Sequence, residues 1–386
     1  IVFVRHKLLK GSGRAVQEAM PRIRVHAHVM VLCGDAPLFR VETVKKMLGY
    51  YQKHSPDCLV MTADLPEPGS YGRVKRNHAG DVAAIVEAAD ADTWEKNITE
   101  VNSGTYFFRV KALEKAVHGL RKKGSKGEFY LTDALESIIA AGGRTTAFKL
   151  TDATEMTGIN SRADLAAAYA MLNKRKAAEL MASGVTVVDP ASTYIEENTV
   201  IGRDTVIYPG DFIKGVSSIG RGCKIGPYGV IEDCRIDDGA VIKYSCALES
   251  SRVRAGAIVG PFARLRPLSD IGQRAEVGNF AEVKKSVLGR GCKLHHHSYI
   301  GDTRMGERVN VGAGAITCNY DGINKNRTVI GAGAFIGSNT NLVAPVTIGA
   351  GAYTAAGSTI TEDVPGGALA IARARQVVKQ LKKRTK

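Results

Sequence analysis

From Gly184 onward, apolar residues return at every sixth position. Ile219, Ile225 and Ile231 set the beat, and Ile330, Ile336, Leu342, Ile348 and Ile360 repeat it, interrupted only by Thr354. Met305, Val311 and Thr317 keep the same step, and a glycine, alanine or other small residue usually follows the apolar one. A period of six belongs neither to a helix, which repeats every 3.6 residues, nor to a simple strand, which alternates by two. It is the pattern of a parallel β-helix, in which each hexapeptide forms one side of a triangular coil. The apolar residue points inward and its small neighbour lets the chain turn the corner. With three hexapeptides per coil, residues from about 186 to about 365 predict about ten coils.

The first half is written differently. Val29–Leu32, Leu59–Thr62, Arg73–Lys75, Val82–Glu87 and Thr105–Val110 read as strands, and Val41–Tyr51 has helical spacing. Strands alternating with helical patterns predict a mostly parallel sheet with helices on its faces. An alanine-rich helix follows over Ser161–Met181, with Asn160 or Ser161 as its N-cap and Gly184 closing it. The expected fold class is therefore α/β plus all-β: a Rossmann-like domain over residues 1–160, a helical linker over 161–184, and a β-helix with a basic tail over 185–386.

Composition narrows the functional classes. No apolar run approaches the roughly 20 residues needed to cross a bilayer, and the opening Ile1-Val-Phe-Val-Arg5 is too short for a signal-peptide core. The seven cysteines are scattered, with no C-x-x-C pair, which argues against a disulfide framework or structural zinc and for a cytoplasmic protein. The net charge is +15, and much of the excess lies between Arg373 and Lys386, a stretch without an acid. It also lacks the aromatic residues that would stack on bases, so nucleic acid is not the expected partner. Phosphorylated small molecules account for the charge more economically, and no membrane partner is expected.

Two stretches carry a family resemblance. One is Pro261-Phe-Ala-Arg264-Leu-Arg266-Pro267 with Val277-Gly-Asn279-Phe-Ala-Glu282-Val-Lys284-Lys285. The other is His296-His-Ser-Tyr299-Ile-Gly-Asp302 with Val309-Asn310-Val-Gly-Ala313 and Cys318-Asn319-Tyr320-Asp321-Gly322. Together they resemble the bifunctional bacterial glucosamine-1-phosphate acetyltransferase / N-acetylglucosamine-1-phosphate uridyltransferase family. The resemblance implies a left-handed β-helix and acetyl transfer from acetyl-CoA, as co-substrate, to the amine of glucosamine 1-phosphate. It makes His296 the general base; an ammonium has no lone pair with which to attack a thioester, and an imidazole can take its proton. It gives Arg266 and Lys284 the sugar phosphate, Tyr299 and Asn310 the sugar, and Glu282 a place facing the amine. Ala313, Asn319, Tyr320, Ser338, Ala356 and Arg373 match the acetyl-CoA site, which implies a homotrimer with the site between subunits. The triplet His295-His296-His297 invites a metal, but neighbouring side chains on a strand point to opposite faces and cannot converge on one ion.

The first half resembles the uridyltransferase domain of the same family, with UTP and UDP-N-acetylglucosamine as its small-molecule ligands. Gly11-Ser12-Gly13 resembles the turn against the uracil base, although a lone G-x-G is as readily a tight turn. In Cys33-Gly34-Asp35, Asp35 matches a ligand to Mg2+, and Asn160 supplies the second; their oxygens suit a hard ion that keeps most of its waters. The alternatives are a turn residue and a helix cap. Gly72, Glu87 and Asn102 match sugar-nucleotide contacts. The family's Gly-rich triphosphate loop has no counterpart between Ile1 and Gly34, His6 stands where a base-contacting Gln is usual, and Cys33 replaces a common Tyr. The expectation is an N-terminally incomplete domain, and no uridylyl transfer from these residues alone.

Three other readings compete. A hexapeptide acyltransferase with another acceptor would not need Arg266, Lys284, Tyr299 and Asn310 together. A sugar nucleotidyltransferase whose β-helix only assembles or regulates leaves His296 to Tyr320 without a purpose. A non-catalytic scaffold needs neither the histidine nor the basic pair.

Overall fold

The computed structural model describes residues 3–5, 10–122 and 127–380. His6 and the tail residues Lys382, Lys383, Arg384 and Lys386 lie outside the described residues. The chain divides into two compact units, Ile1–Tyr169 and Ala170–Lys386.

The first unit is a sheet between two helical layers. Its elements are α1 (Ser12–Ile23), β1 (His28–Val31), α2 (Val41–His54), β2 (Cys58–Asp64), β3 (Arg73–Arg76), β4 (Val82–Val86), β5 (Glu100–Arg109), α3 (Val110–His118), α4 (Thr132–Ala140) and β6 (Thr145–Lys149). Strand β2 shows why its sequence is a continuous apolar run: both its faces are covered. Cys58 and Val60 pack with Val16, Leu113, Val117 and Leu135 from α1, α3 and α4, whereas Leu59 and Met61 pack with Met47 and Tyr51 from α2. The expectation of a mostly parallel sheet is corrected here. Only β2 and β6 pair in parallel; β1, β2 and β3 all run antiparallel to β5, and β3 pairs antiparallel with β4. The reason starts with a local turn. Asn77–Asp81 closes a tight hairpin between β3 and β4, which makes that pair antiparallel, and β5 then enters the sheet between β3 and β2, against both.

The second unit opens with the latter part of α5 (Arg162–Ala182) and continues as the β-helix. Three parallel sheets of 11, 10 and 9 short strands form its three faces. We number them in the order the chain visits them: Thr186–Val187, Tyr194–Ile195 and Val200–Ile201 begin the first, second and third face. Every residue of the six-step pattern is inward and buried, including Ile219, Ile225, Ile231, Met305, Val311, Ile330, Ile336, Leu342, Ile348 and Ile360. The two polar members are satisfied at the corners: Thr317 Oγ1 accepts the Gly301 N–H at 2.7 Å, and Thr354 Oγ1 accepts that of Gly337 at 3.0 Å. Helix α5 is more than a connector. Asn173 donates to the Thr193 carbonyl at 2.6 Å and accepts the Ile195 N–H at 3.0 Å, and Leu180 joins the apolar core, so its second half closes the open end of the first coil.

One inward corner position holds an acid. Asp211 is fully buried; Oδ1 accepts the Gly229 N–H at 2.7 Å, and Oδ2 has no partner among the described residues. Burial pushes its carboxyl up to about 8, against the pull of that one hydrogen bond. The native state thus holds this proton more tightly than the unfolded chain. The stability it contributes is complete below pH 4 and is lost as the pH rises through about 8. Asp211→Asn keeps the acceptor and removes the charge. It should stabilise the protein by on the order of 2 kcal/mol at pH 8.5 and by little at pH 4.5, read by denaturant unfolding at the two pH values. An equal gain at both would mean that charge is not the cause.

Candidate active sites

Stacking the coils turns positions far apart in sequence into columns. At the corner between the first and second faces, Asn279 pairs in register with His296. The next coils place Ala313, Ser338 and Ala356 in the same column. Backbone bonds tie each coil to the next: His297 N–H to Asn279 O, Gly314 N–H to His296 O, Asn339 N–H to Ala313 O and Gly357 N–H to Ser338 O. Coils repeat at about 4.8 Å, so these residues form a line along the edge of the prism. It is large and polar at Asn279 and His296, then small at Ala313, Ser338 and Ala356. Arg373 reaches the end of that line, donating from Nη1 to the Ala356 carbonyl at 2.9 Å.

The three histidines go three ways. His295 turns back along the first face, its Nε2 2.9 Å from Glu276 Oε2. His297 takes a left-handed corner conformation and stacks on Phe280 at 5.1 Å, ending an exposed ladder that continues to Phe262. His296 is exposed at the corner, and its ring has no hydrogen-bond partner among the described residues. Of the three, it alone is neither paired with a carboxylate nor stacked on a phenyl ring.

The second face carries the basic and acidic set. Arg264, Glu282 and Tyr299 stand one above another on its outer side, and Arg266 and Lys284 follow two positions on. Arg266 Nη1 donates to Glu282 Oε1 at 3.0 Å, while Lys284 has no ion-pair partner among the described residues. Asn310 stands on the first face, between Lys293 and Phe335. Asn319 is buried with Nδ2 2.5 Å from Asp302 Oδ2, and it anchors an irregular loop from which Tyr320 projects, its ring covered by Lys325 at 4.4 Å. The candidate residues therefore do not meet in one pocket of one chain. Asn310 faces out from the first face, the Arg266–Glu282–Lys284–Tyr299 group from the second, and Asn319 and Tyr320 leave the far end of the second.

In the first unit, the turn Gly11-Ser12-Gly13 docks on the backbone before α4. The Gly13 N–H donates to the Phe129 carbonyl at 2.8 Å, and Ser12 Oγ accepts the Leu131 N–H at 3.3 Å. A Cβ at Gly11 would stand 2.6 Å from Phe129 O, and the φ there is +90°, so only glycine fits. Gly72 accepts the Asn102 N–H through its carbonyl, and Asn102 is fixed by Tyr106 Oη at 2.7 Å. Glu87 accepts from Thr132 Oγ1 at 2.9 Å; burial holds its carboxyl above the ordinary range, outweighing that bond. Gly34 has open space where a Cβ would be. Asp35 and Asn160 come together around Gly158, whose Cβ would lie 3.8 Å from Asp35 Oδ2 and 3.9 Å from Asn160 Nδ2. The cap of α5 is Ser161. Its Oγ accepts the Asp164 N–H at 3.1 Å, and the Asp164 carboxylate accepts the Ser161 and Asn160 N–H groups. The Asn160 side chain is therefore not used as the cap.

Comparisons with known proteins agree with both units. The nucleotidyl transferase family matches residues 3–169, and the bacterial transferase hexapeptide family (six repeats) matches residues 327–362. "Bifunctional protein GlmU" of Heliobacterium modesticaldum is 48% identical over 371 residues, 96% of this chain and 81% of that protein. The proteins of the same name from Geobacillus thermodenitrificans and Clostridioides difficile are 47% and 44% identical, each covering 96% of this chain and 81% and 80% of their own lengths. The chain belongs to the bifunctional GlmU family. It is a transferase of the glucosamine-1-phosphate acetyltransferase / N-acetylglucosamine-1-phosphate uridyltransferase kind.

Sequence reasoning within this GlmU-family chain passed over Glu276 and Gly301. The Glu276–His295 contact joins positions 19 apart, one coil plus two residues, and no six-step pattern points to it. Gly301 is buried under Tyr299; a Cβ there would lie 2.5 Å from Tyr299 Oη and 2.8 Å from Asn319 Nδ2. Both obstacles are ends of side chains. Gly301→Ala should therefore fold, at a cost of about 1–2 kcal/mol, while pushing both ends aside. Steady-state kinetics should show a higher KM for acceptor and for acetyl-CoA. Unchanged KM values for both would mean that neither side chain touches a substrate.

Proposed function

We propose that the corner at His296 is where acetyl transfer occurs, with each remaining residue in the role the family resemblance gives it. The observation that carries this is the column. An imidazole with unengaged nitrogens stands at the head of a line of small residues that ends at Arg373. Acetyl-CoA lies along that line through Ala313, Ser338 and Ala356, and its thioester reaches His296. The ammonium of glucosamine 1-phosphate gives its proton to His296, and the freed amine attacks the thioester carbonyl. The C–S bond then breaks as the amide forms, and coenzyme A leaves as a thiolate that takes up a proton. Arg266 and Lys284 hold the sugar phosphate as fork and point charge. Glu282, bonded to Arg266 at 3.0 Å, keeps one carboxylate oxygen for the sugar amine; Tyr299 and Asn310 hold the ring.

The outward faces of one chain diverge around the corner, so Asn310 and the second-face group close on one sugar only when a second copy supplies one of the two surfaces. This supports a homotrimer with sites shared between neighbours. Sedimentation showing a monomer at full turnover would exclude it. In the first unit, the oxygens of Asp35 and Asn160 would hold a magnesium ion. They fit a hard ion that keeps waters, since both are exposed and come together around Gly158. When bound, the ion neutralises nucleotide phosphate charge. Gly11, Ser12, Gly72, Glu87 and Asn102 shape the nucleotide-sugar side of that site, for uridylyl transfer from UTP to N-acetylglucosamine 1-phosphate. The product feeds cell-wall synthesis, and a cytoplasmic location suits these substrates.

His296→Ala should lower kcat for acetyl transfer by about two to four powers of ten with acetyl-CoA affinity little changed. Arg266→Ala and Lys284→Ala should instead act mainly on the KM for glucosamine 1-phosphate. Loss of acetyl-CoA binding in His296→Ala, or equal losses on acceptors with and without phosphate in the other two, would count against these roles.

A further inference from the structure

We propose that Glu276 and His295 form a clasp that sets the aim of His296; this rests on His296 being the base. The first-face strands are two residues long in every coil except two consecutive ones, Glu276–Asn279 and Lys293–His296. Only there does the pairing run on to the corner, ending at Asn279 against His296. The extension needs close backbones: a Cβ on Gly278 would collide with the His295 carbonyl oxygen. Across this extended ladder the His295 side chain returns diagonally to Glu276, its Nε2 donating to Oε2 at 2.9 Å. Glu276, Asn279, His295 and His296 all line one groove of about 240 Å³, with Lys243 at its other end.

The clasp bears on His296 through one contact. The His296 ring has no hydrogen bond among the described residues, and its aromatic neighbour is His295, edge-on with centroids 5.9 Å apart and planes at 72°. A ring without a polar tether takes its rotamer from packing. The ring it packs on is itself held by Glu276. Glu276 and His295 are thus positioning residues: neither touches the thioester, and both decide where the base points. Their side chains keep 39% and 42% of their surface, so the pair adds little to folding and its removal should not unfold the protein.

The experiment is steady-state acetyl transfer by the full chain carrying Glu276→Ala, His295→Ala, both together, and Glu276→Gln or His295→Gln. Each alanine variant should lose kcat by about three- to fivefold, the population ratio that a half-exposed ion pair commands. KM for both substrates and the melting temperature should stay at the parent values. The double variant should be no worse than either single one, because a clasp is broken once. The glutamine variants, which still donate or accept, should recover most of the loss. Parent-level kcat in both alanine variants, additive losses in the double one, or a loss in KM alone would overturn the clasp. His296→Ala in the same series separates this from the wider reading. If it abolishes turnover while the clasp variants do nothing, the base stands and the clasp falls. If it retains turnover, or if His295→Ala falls as far, the base assignment fails and the clasp with it.

Discussion

The backbone hydrogen bonds between coils are the constraint on which the acetyltransferase half depends. Each coil donates to the next at equivalent positions, so a residue's place within its coil decides which column it joins. Inward columns become a mostly apolar core; outward columns become ridges and grooves along the prism. A slip by one residue would turn the core outward and scatter the columns. The site is thus a consequence of register. His296, Ala313, Ser338 and Ala356 share an edge because the chain returns to the same corner at each of them.

The nucleotidyltransferase half works by a different economy. Its candidate residues sit in β5, at the start of α1 and on segments around a sheet whose central strand is buried on both faces, and hydrogen bonds fix several of them. Gly11 and Gly13 exist where the chain presses on Phe129 and Tyr130, and Asn102 is held by Tyr106. A rigid sheet can place side chains that do not themselves contribute to packing, and this is why Asp35 and Asn160 can both remain exposed beside each other.

Polar residues in unusual places separate structure from function. Asp211 is buried with one oxygen unpaired and the other bonded to Gly229 of the next coil. Glu87 is also pushed up by burial, yet it accepts from Thr132 and lies beside Gly72. The Arg254–Asp270 pair on the third face, at 2.6 Å, ties neighbouring coils far from the His296 column.

The six-residue period by itself determined the second half of the fold, because only a coil with three short sides buries every sixth residue. Motif spacing likewise carried the family itself, since Arg266, Lys284, His296 and Asp35 stand in stretches that resemble it. What the sequence left undecided was pairing at a distance. The alternation of strands and helices suggested a parallel sheet, yet β5 runs against β1, β2 and β3, and which neighbour a strand takes and in which direction is a property of three dimensions. The three adjacent histidines look equivalent as letters. Only the folded corner gives one to Glu276, one to Phe280 and leaves the third exposed without either partner, because the direction of a side chain at a left-handed turn depends on the coils above and below it.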